Sequence, residues 1–200
     1  MNLKIWLLNL ALVAVFSLSA QNNMASVTDI EIDGPVVVKL ISGSETSIRA
    51  TKEADLVSWE VNGNALVVIA RYQKRRDTPE IEISIKELEA LATTGSVVLE
   101  GQGEFATRRM QVQAGSQSIV SLDVDTEILI ASAKAQSILN LSGNADDFRL
   151  SVDTQSVANA EELNSAQIKV SADHQSVANI NSDGATVNSE ARNQSVVLEQ

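Results

Sequence analysis

The dipeptide Gln-Ser recurs along the second half of the chain, beginning at Gln117, Gln136, Gln155, Gln175 and Gln194. The steps are 19, 19, 20 and 19 residues. A period of this length marks stacked supersecondary units, none of which can bury its apolar face alone. The chain must therefore fold as a repeat array.

The residues around each Gln-Ser say what the unit is. Seven, five and three positions before the Gln stand Met110, Val112, Ala114; Leu129, Ala131, Ala133; Phe148, Leu150, Val152; Ile168, Val170, Ala172; and Val187, Ser189, Ala191. The column between the first two is mostly polar: Gln111, Ile130, Arg149, Lys169, Asn188. This alternation is a strand with one face inward. A second strand follows each Gln-Ser. One of its faces carries Ile119, Ile138, Val157, Val177 and Val196, then Ser121, Asn140, Asn159, Asn179 and Leu198. The other carries Val120, Leu139, Ala158, Ala178 and Val197, then Leu122, Leu141, Ala160 and Ile180. Either face has an apolar column, so the pattern leaves open which one points outward. Equivalent residues would lie one strand spacing apart, about 4.8 Å. At that distance the side-chain amides of Gln117, Gln136, Gln155, Gln175 and Gln194, and of Asn140, Asn159 and Asn179, can form hydrogen-bonded ladders. The expected fold is all-β: a right-handed parallel β-solenoid, or β-helix-like repeat, of about 19 residues per rung.

An earlier unit fits the frame, with Leu88, Ala90 and Ala92 leading to Gly95-Ser96, so the rungs are expected from residue 87 to 200. Residues 27–86 read as a strand-rich N-terminal part of the same domain. Ile30 and Ile32, then Val36, Val38 and Leu40, alternate with polar residues about Gly34-Pro35. Asn62-Gly63-Asn64 marks a hairpin. Residues 86–90 combine helix formers with strand spacing, and no segment reads as a clear helix.

Residues 1–20 read as a signal peptide. Lys4 supplies the positive start, Ile5 to Phe16 the apolar run, and Ser17-Leu18-Ser19-Ala20 the small residues for cleavage. The apolar run is short for a membrane span. The mature domain, 21–200, carries no other stretch able to cross a bilayer, and is placed in the periplasm, outside the cell or elsewhere in the envelope. The chain has no cysteine, which excludes disulfides and thiolate metal sites. Aromatics make up only 3% of the residues, so the core must be packed from aliphatic side chains. A net charge of -11 repels nucleic-acid phosphates and anionic lipid heads, and nucleic acid is not an expected partner.

Residues 27 to 103, from VTDIEIDGPVVVKLISGSETSIRA through LEALATTGSVVLEG, resemble the opening of the putative auto-transporter adhesin head GIN domain family. Gly34, Gly43 and Gly95-Ser96 match its pattern. The later rungs depart from it, placing Gln136, Gln155, Gln175 and Gln194 where the last Gly of a Gly-Ser-Gly is expected. The resemblance implies an exported β-domain with an adhesive role, and brings no catalytic residues.

Chemistry-bearing residues are few. His174 is the single histidine, and a general base needs a positioned partner that the adjacent Asp173 does not obviously provide. Asp123, Asp125, Asn144, Asp146 and Asp147 could offer oxygen to Ca²⁺, but in neither an EF-hand nor a calcium β-roll pattern. Arg149 and Lys169 form a basic pair on an outward column. Arg71, Lys74, Arg75 and Arg76 form a basic cluster that could meet an anionic ligand. No catalytic residue, metal or cofactor is expected. The reading is a non-enzymatic adhesin-like binding module. A self-associating structural protein and a carbohydrate-active β-helix enzyme are the alternatives. An envelope protein, a glycan or a second copy of the chain remain open as partners.

Overall fold

A computed structural model describes residues 24–200; the expected signal peptide lies outside the described residues. The chain forms a β-solenoid of about six turns. Its strands are β1 (Asp29–Asp33), β2 (Val36–Ser42), β3 (Ser47–Lys52), β4 (Val57–Asn62), β5 (Ala65–Ala70), β6 (Glu80–Ile85), β7 (Ala90–Thr94), β8 (Val97–Ala114), β9 (Ile119–Ala133), β10 (Ile138–Val152), β11 (Val157–Ala172), β12 (Val177–Ile180), β13 (Thr186–Ala191) and β14 (Val196–Glu199). No helix among the described residues is long and apolar enough to cross a membrane.

β8 to β11 stack in parallel, each running through a bend so that one strand serves two faces of the coil. The register joins like positions: Phe148 pairs with Leu129 and Ile168, and Asn140 with Ser121 and Asn159. The stack does not begin at residue 87. β1 lies between β5 and β7, parallel to both, and β2 lies between β6 and β8. The expected boundary at 86/87 is thus crossed by the sheet, and the first rung in sequence is the second in space. At that end the antiparallel strands β4 and β3 pair with β5 and β6. They cover an edge that would otherwise present free backbone groups.

The second-strand columns of Val120, Leu139, Ala158 and Ala178, and of Leu122, Leu141, Ala160 and Ile180, point inward and are buried. Ile119, Asn140 and their equivalents therefore look outward. The preference follows from polarity. The inward face carries two apolar columns, whereas the other mixes an apolar column with amides that would lose water on burial.

Each corner is built from two consecutive left-handed residues: Ser116 and Gln117, Ala135 and Gln136, Thr154 and Gln155, His174 and Gln175, Asn193 and Gln194. Their φ values lie between 47° and 65°. A non-glycine residue there costs about 1–2 kcal/mol. Inter-rung bonds hold the turn in place, Gln117 N–H donating to Ala135 O at 2.9 Å and Gln136 N–H to Thr154 O at 2.9 Å. The serine of each pair turns inward, and Ser118, Ser137, Ser156 and Ser176 are all buried. Ser118 Oγ donates to Gly115 O at 2.6 Å, and Ser137 N–H donates to Ser156 Oγ at 3.2 Å. The repeated dipeptide is thus divided between solvent and core.

Phe148, 1% exposed, is among the largest side chains in the stack. Truncating it to Ala should cost about 3–5 kcal/mol, read as a lowered urea midpoint. A loss under about 1 kcal/mol would contradict the inward register.

Candidate binding groove on the ladder face

The outward face of the second strands is organised by two amide ladders. In the Gln ladder, Gln117 Nε2 donates to Gln136 Oε1 at 3.4 Å, Gln136 to Gln155 at 3.2 Å, Gln155 to Gln175 at 3.3 Å and Gln175 to Gln194 at 3.2 Å. All five glutamines are exposed. In the Asn ladder, Asn179 Nδ2 donates to Asn159 Oδ1 at 2.8 Å, Asn159 to Asn140 at 2.8 Å, and Asn140 to Ser121 Oγ at 3.0 Å. The asparagines are half-buried. The two ladders run in opposite senses, glutamines donating toward the C-terminal rungs and asparagines toward the N-terminal ones. Leu198 takes the next Asn position, and Asn179 Oδ1 is accordingly buried without a partner among the described residues.

The Asn ladder opens into a groove of about 550 Å³. One column along it is Glu100, Ser121, Asn140, Asn159, joined rung to rung by the sheet register. A second is Asp123, Ser142, Glu162. Leu122 and Leu141 lie between them and are almost wholly buried. The strands bulge at both ends of the groove. The register shifts between Glu100 and Glu104 in β8, and across Asn159 to Glu162 in β11 where Glu161 is the extra residue. Bulges of this kind bend a strand and re-aim its side chains. Gly143 permits the close crossing in β10: its φ is +99°, and a Cβ there would lie 2.1 Å from Val124 O. Among the described residues, every charged side chain lining the groove is a carboxylate: Glu100, Asp123, Glu161 and Glu162. Ser142 Oγ donates to Asp123 Oδ1 at 3.2 Å, and Gln200 Nε2 to Glu161 at 2.7 Å.

The other candidates lie apart. Arg71, Lys74, Arg75 and Arg76 occupy the loop between β5 and β6. Arg76 is held by Glu53 and by Asp55 at 2.8 Å, leaving Arg71, Lys74 and Arg75 as the exposed cations of that loop. Arg149 pairs with Asp147 of its own strand at 2.6 Å. Asn144 Oδ1 accepts from Asn164 at 3.3 Å. Among the described residues no three His, Asp or Glu side chains gather as a metal site. His174 does have a positioned partner, from the rung below: its Nδ1 lies 2.8 Å from Asp153 Oδ1 and 3.5 Å from Asp173 Oδ1. Adjacency in sequence hid this pair, which only the inter-rung register brings together. The bond to Asp153, then the charge of Asp173, holds the imidazole above the usual histidine range. The bond to His174 holds Asp153 below the usual carboxylate range.

The short, half-buried Asn bonds should outweigh the long, exposed Gln ones. Asn159→Ala removes two bonds and orphans groups on both neighbours, and should cost about 2–3 kcal/mol, against less than about 1 kcal/mol for Gln155→Ala. Leu198→Asn supplies the missing donor to Asn179 and should stabilise by about 1 kcal/mol. Urea denaturation of the three variants measures these effects, and equal costs for Asn159→Ala and Gln155→Ala would refute the ranking.

A raised His174 pKa stabilises the fold fully below the ordinary histidine value, and this is lost as pH rises through the raised value. A lowered Asp153 pKa stabilises above the ordinary carboxylate value, and this is lost as pH falls through the lowered value. The stability difference between the wild type and His174→Gln should therefore peak at about pH 5–6, between the ordinary carboxylate and histidine values, and shrink as pH rises through the raised value of His174. A flat difference in thermal melts across that range would exclude the pair as a stabilising element.

A family model described as "Putative auto-transporter adhesin, head GIN domain" matches residues 27–198. No curated protein matches the chain. Among solved structures, a putative adhesin from Bacteroides fragilis superposes with a TM-score of 0.76 at 12% identity, over 87% of this chain and 92% of that one. A putative lipid binding protein from Parabacteroides distasonis gives 0.62 at 14%, over 88% and 94%. A putative adhesin from Parabacteroides merdae gives 0.59 at 14%, over 87% and 92%. At these identities the likeness is one of fold.

Proposed function

The chain belongs to the putative auto-transporter adhesin, head GIN domain family, and from that premise we propose that it is an exported, non-enzymatic binding module of the cell envelope. The observation that carries the reading is the groove on the ladder face. Ser121, Asn140 and Asn159, and the pair Ser142–Asp123, are fixed by hydrogen bonds to their own equivalents on neighbouring rungs. Such a site is preorganised, so little ordering entropy opposes binding.

The charged start and apolar run of residues 1–20 support export. A lipid ligand fits the described residues poorly. The interior is filled by stacked aliphatic side chains, and the groove is lined by carboxylates and amides, so neither offers an acyl chain a dry, open cavity. The carboxylates keep a glycoside hydrolase as the competing reading, because that chemistry also uses carboxylate pairs in a groove.

Fractionation of the native cells should find the protein in the envelope or the medium, with its N-terminus near Gln21. The purified mature chain, added to washed cells, should bind saturably to their surface without releasing soluble sugar. Cytoplasmic protein that retains Met1 would overturn the export reading. Release of reducing sugar would overturn the non-enzymatic one.

A further inference from the structure

We propose that the groove along the Asn ladder holds one linear, uncharged glycan chain lying parallel to the stack axis. This rests on the binding-module reading and names its ligand class and site.

The groove is long and narrow. Its first column, Glu100, Ser121, Asn140 and Asn159, spans four rungs, about 14 Å at one strand spacing per step. The bulges in β8 and β11 lie at its two ends, so it accommodates a short stretch of an extended polymer. Asn140 and Asn159, the two ladder asparagines in the groove, each spend one N–H and one carbonyl lone pair on their neighbours. An amide has two N–H groups, so a second donor remains on each rung. In the other column, the carboxylates of Asp123 and Glu162 accept hydrogen bonds but cannot donate them when ionised. A ligand that meets both columns must accept from Ser121, Asn140 and Asn159 and donate to Asp123, Ser142 and Glu162, and must donate again to Glu100 at the end of the first column. Sugar hydroxyls do both, and a chain of pyranose rings repeats them at an advance close to that of the rungs.

The same features exclude other occupants. An anionic glycan would be repelled by four lining carboxylates in a chain of net charge -11. An extended peptide advances about 3.3 Å per residue and falls out of step with the rungs within a few residues. A peptide also gains no sheet edge here, because β9 and β10 are paired on both sides. A second copy docked face to face would cover too little. The uncharged patch from Gln117 to Leu198 measures about 13 by 19 Å, far below the ~800 Å² per partner of a stable interface.

The test is an array of linear neutral and of uronate or sulfated oligosaccharides probed with the purified mature protein, followed by titration of the strongest neutral chain. Neutral chains should bind and the anionic ones should not, with tetrasaccharides bound at least several-fold more tightly than disaccharides. Asp123→Asn and Asn159→Gln should each weaken binding about tenfold or more. Gln155→Ala, on the same rung as Asn159 but outside the groove, should leave it unchanged. Asp123→Asn alters an exposed carboxylate, so it reports on binding even if Asn159→Gln fails to fold. Failure of every neutral chain to bind, equal binding of the anionic set, or undiminished binding by Asp123→Asn would overturn the inference. Selective binding of basic peptides instead of glycans would overturn it too. If the array is blank while the protein still adheres to washed cells, the glycan groove is wrong and the binding-module reading stands.

Discussion

Everything in this molecule depends on parallel strands stacked in register. Once Phe148 pairs with Leu129 and Ile168, every residue in a rung lies one strand spacing from its counterparts above and below. Each column must then tolerate its own company. Columns of Val, Leu and Ala pack without voids or polar cost. Amides bond to one another, as in the two ladders. Like charges repel at this distance, so a column that stacks them needs water or a counter-charge beside it. Arg149 on Lys169 and Glu104 on Asp123 are stacked at exposed positions, and a third pair has a partner of its own. Asp153 and Asp173 are neighbours in the column that follows the last inward residue. At that point the ring of His174 lies against both carboxylates, and Asn193 donates to Asp173 at 2.6 Å. The only histidine of the chain sits where stacked acids need a proton.

The corners show what the register can sustain. Two successive left-handed residues without glycine are unfavourable in an isolated turn. Here each turn is bonded to the next, and the buried serine bonds to the turn's own carbonyls or to the neighbouring serine. The strain is distributed over a column in which every member relies on the ones above and below. This accounts for the departure from the family's pattern. The position where a glycine is expected does adopt positive φ, and glutamine can occupy it because its side chain extends a ladder along the outside.

The repeat, its strands and its inward columns before the corner could be read from the sequence because periodicity is a one-dimensional property. Three things could not. The outward direction of the Asn column depended on comparing the polarity of two faces, each with an apolar column. The insertion of β1 and β2 between later strands is a long-range pairing that no local pattern encodes. The left-handed corners were hidden because glutamine, threonine and alanine do not announce positive φ as glycine does. The His174–Asp153 pair belongs to the same class, a contact between residues 21 positions apart whose only signal is the register itself, and the capture of Arg76 by Glu53 and Asp55 joins two segments outside the strands that only the folded chain brings together.

The groove was nevertheless written in the sequence, as an error in the period. Of the steps between Gln-Ser pairs, one is 20 residues instead of 19, from Gln155 to Gln175. The added residue falls in β11, where Glu161 forms the bulge that closes one end of the groove. The preceding corner, Gly95-Ser96, stands 21 residues before Ser116-Gln117, and its two extra residues fall in the β8 bulge between Glu100 and Glu104. The two rungs between keep the strict period and form the groove's straight middle. In an array whose stability comes from repetition, each extra residue leaves backbone groups out of the ladder and interrupts a column. Such a cost is tolerated most readily where the interruption shapes something. Here both interruptions flank one depression, lined by fixed amides and by carboxylates that pair with no cation among the described residues. The regular rungs supply rigidity, and the two irregular ones set where that rigid surface becomes concave.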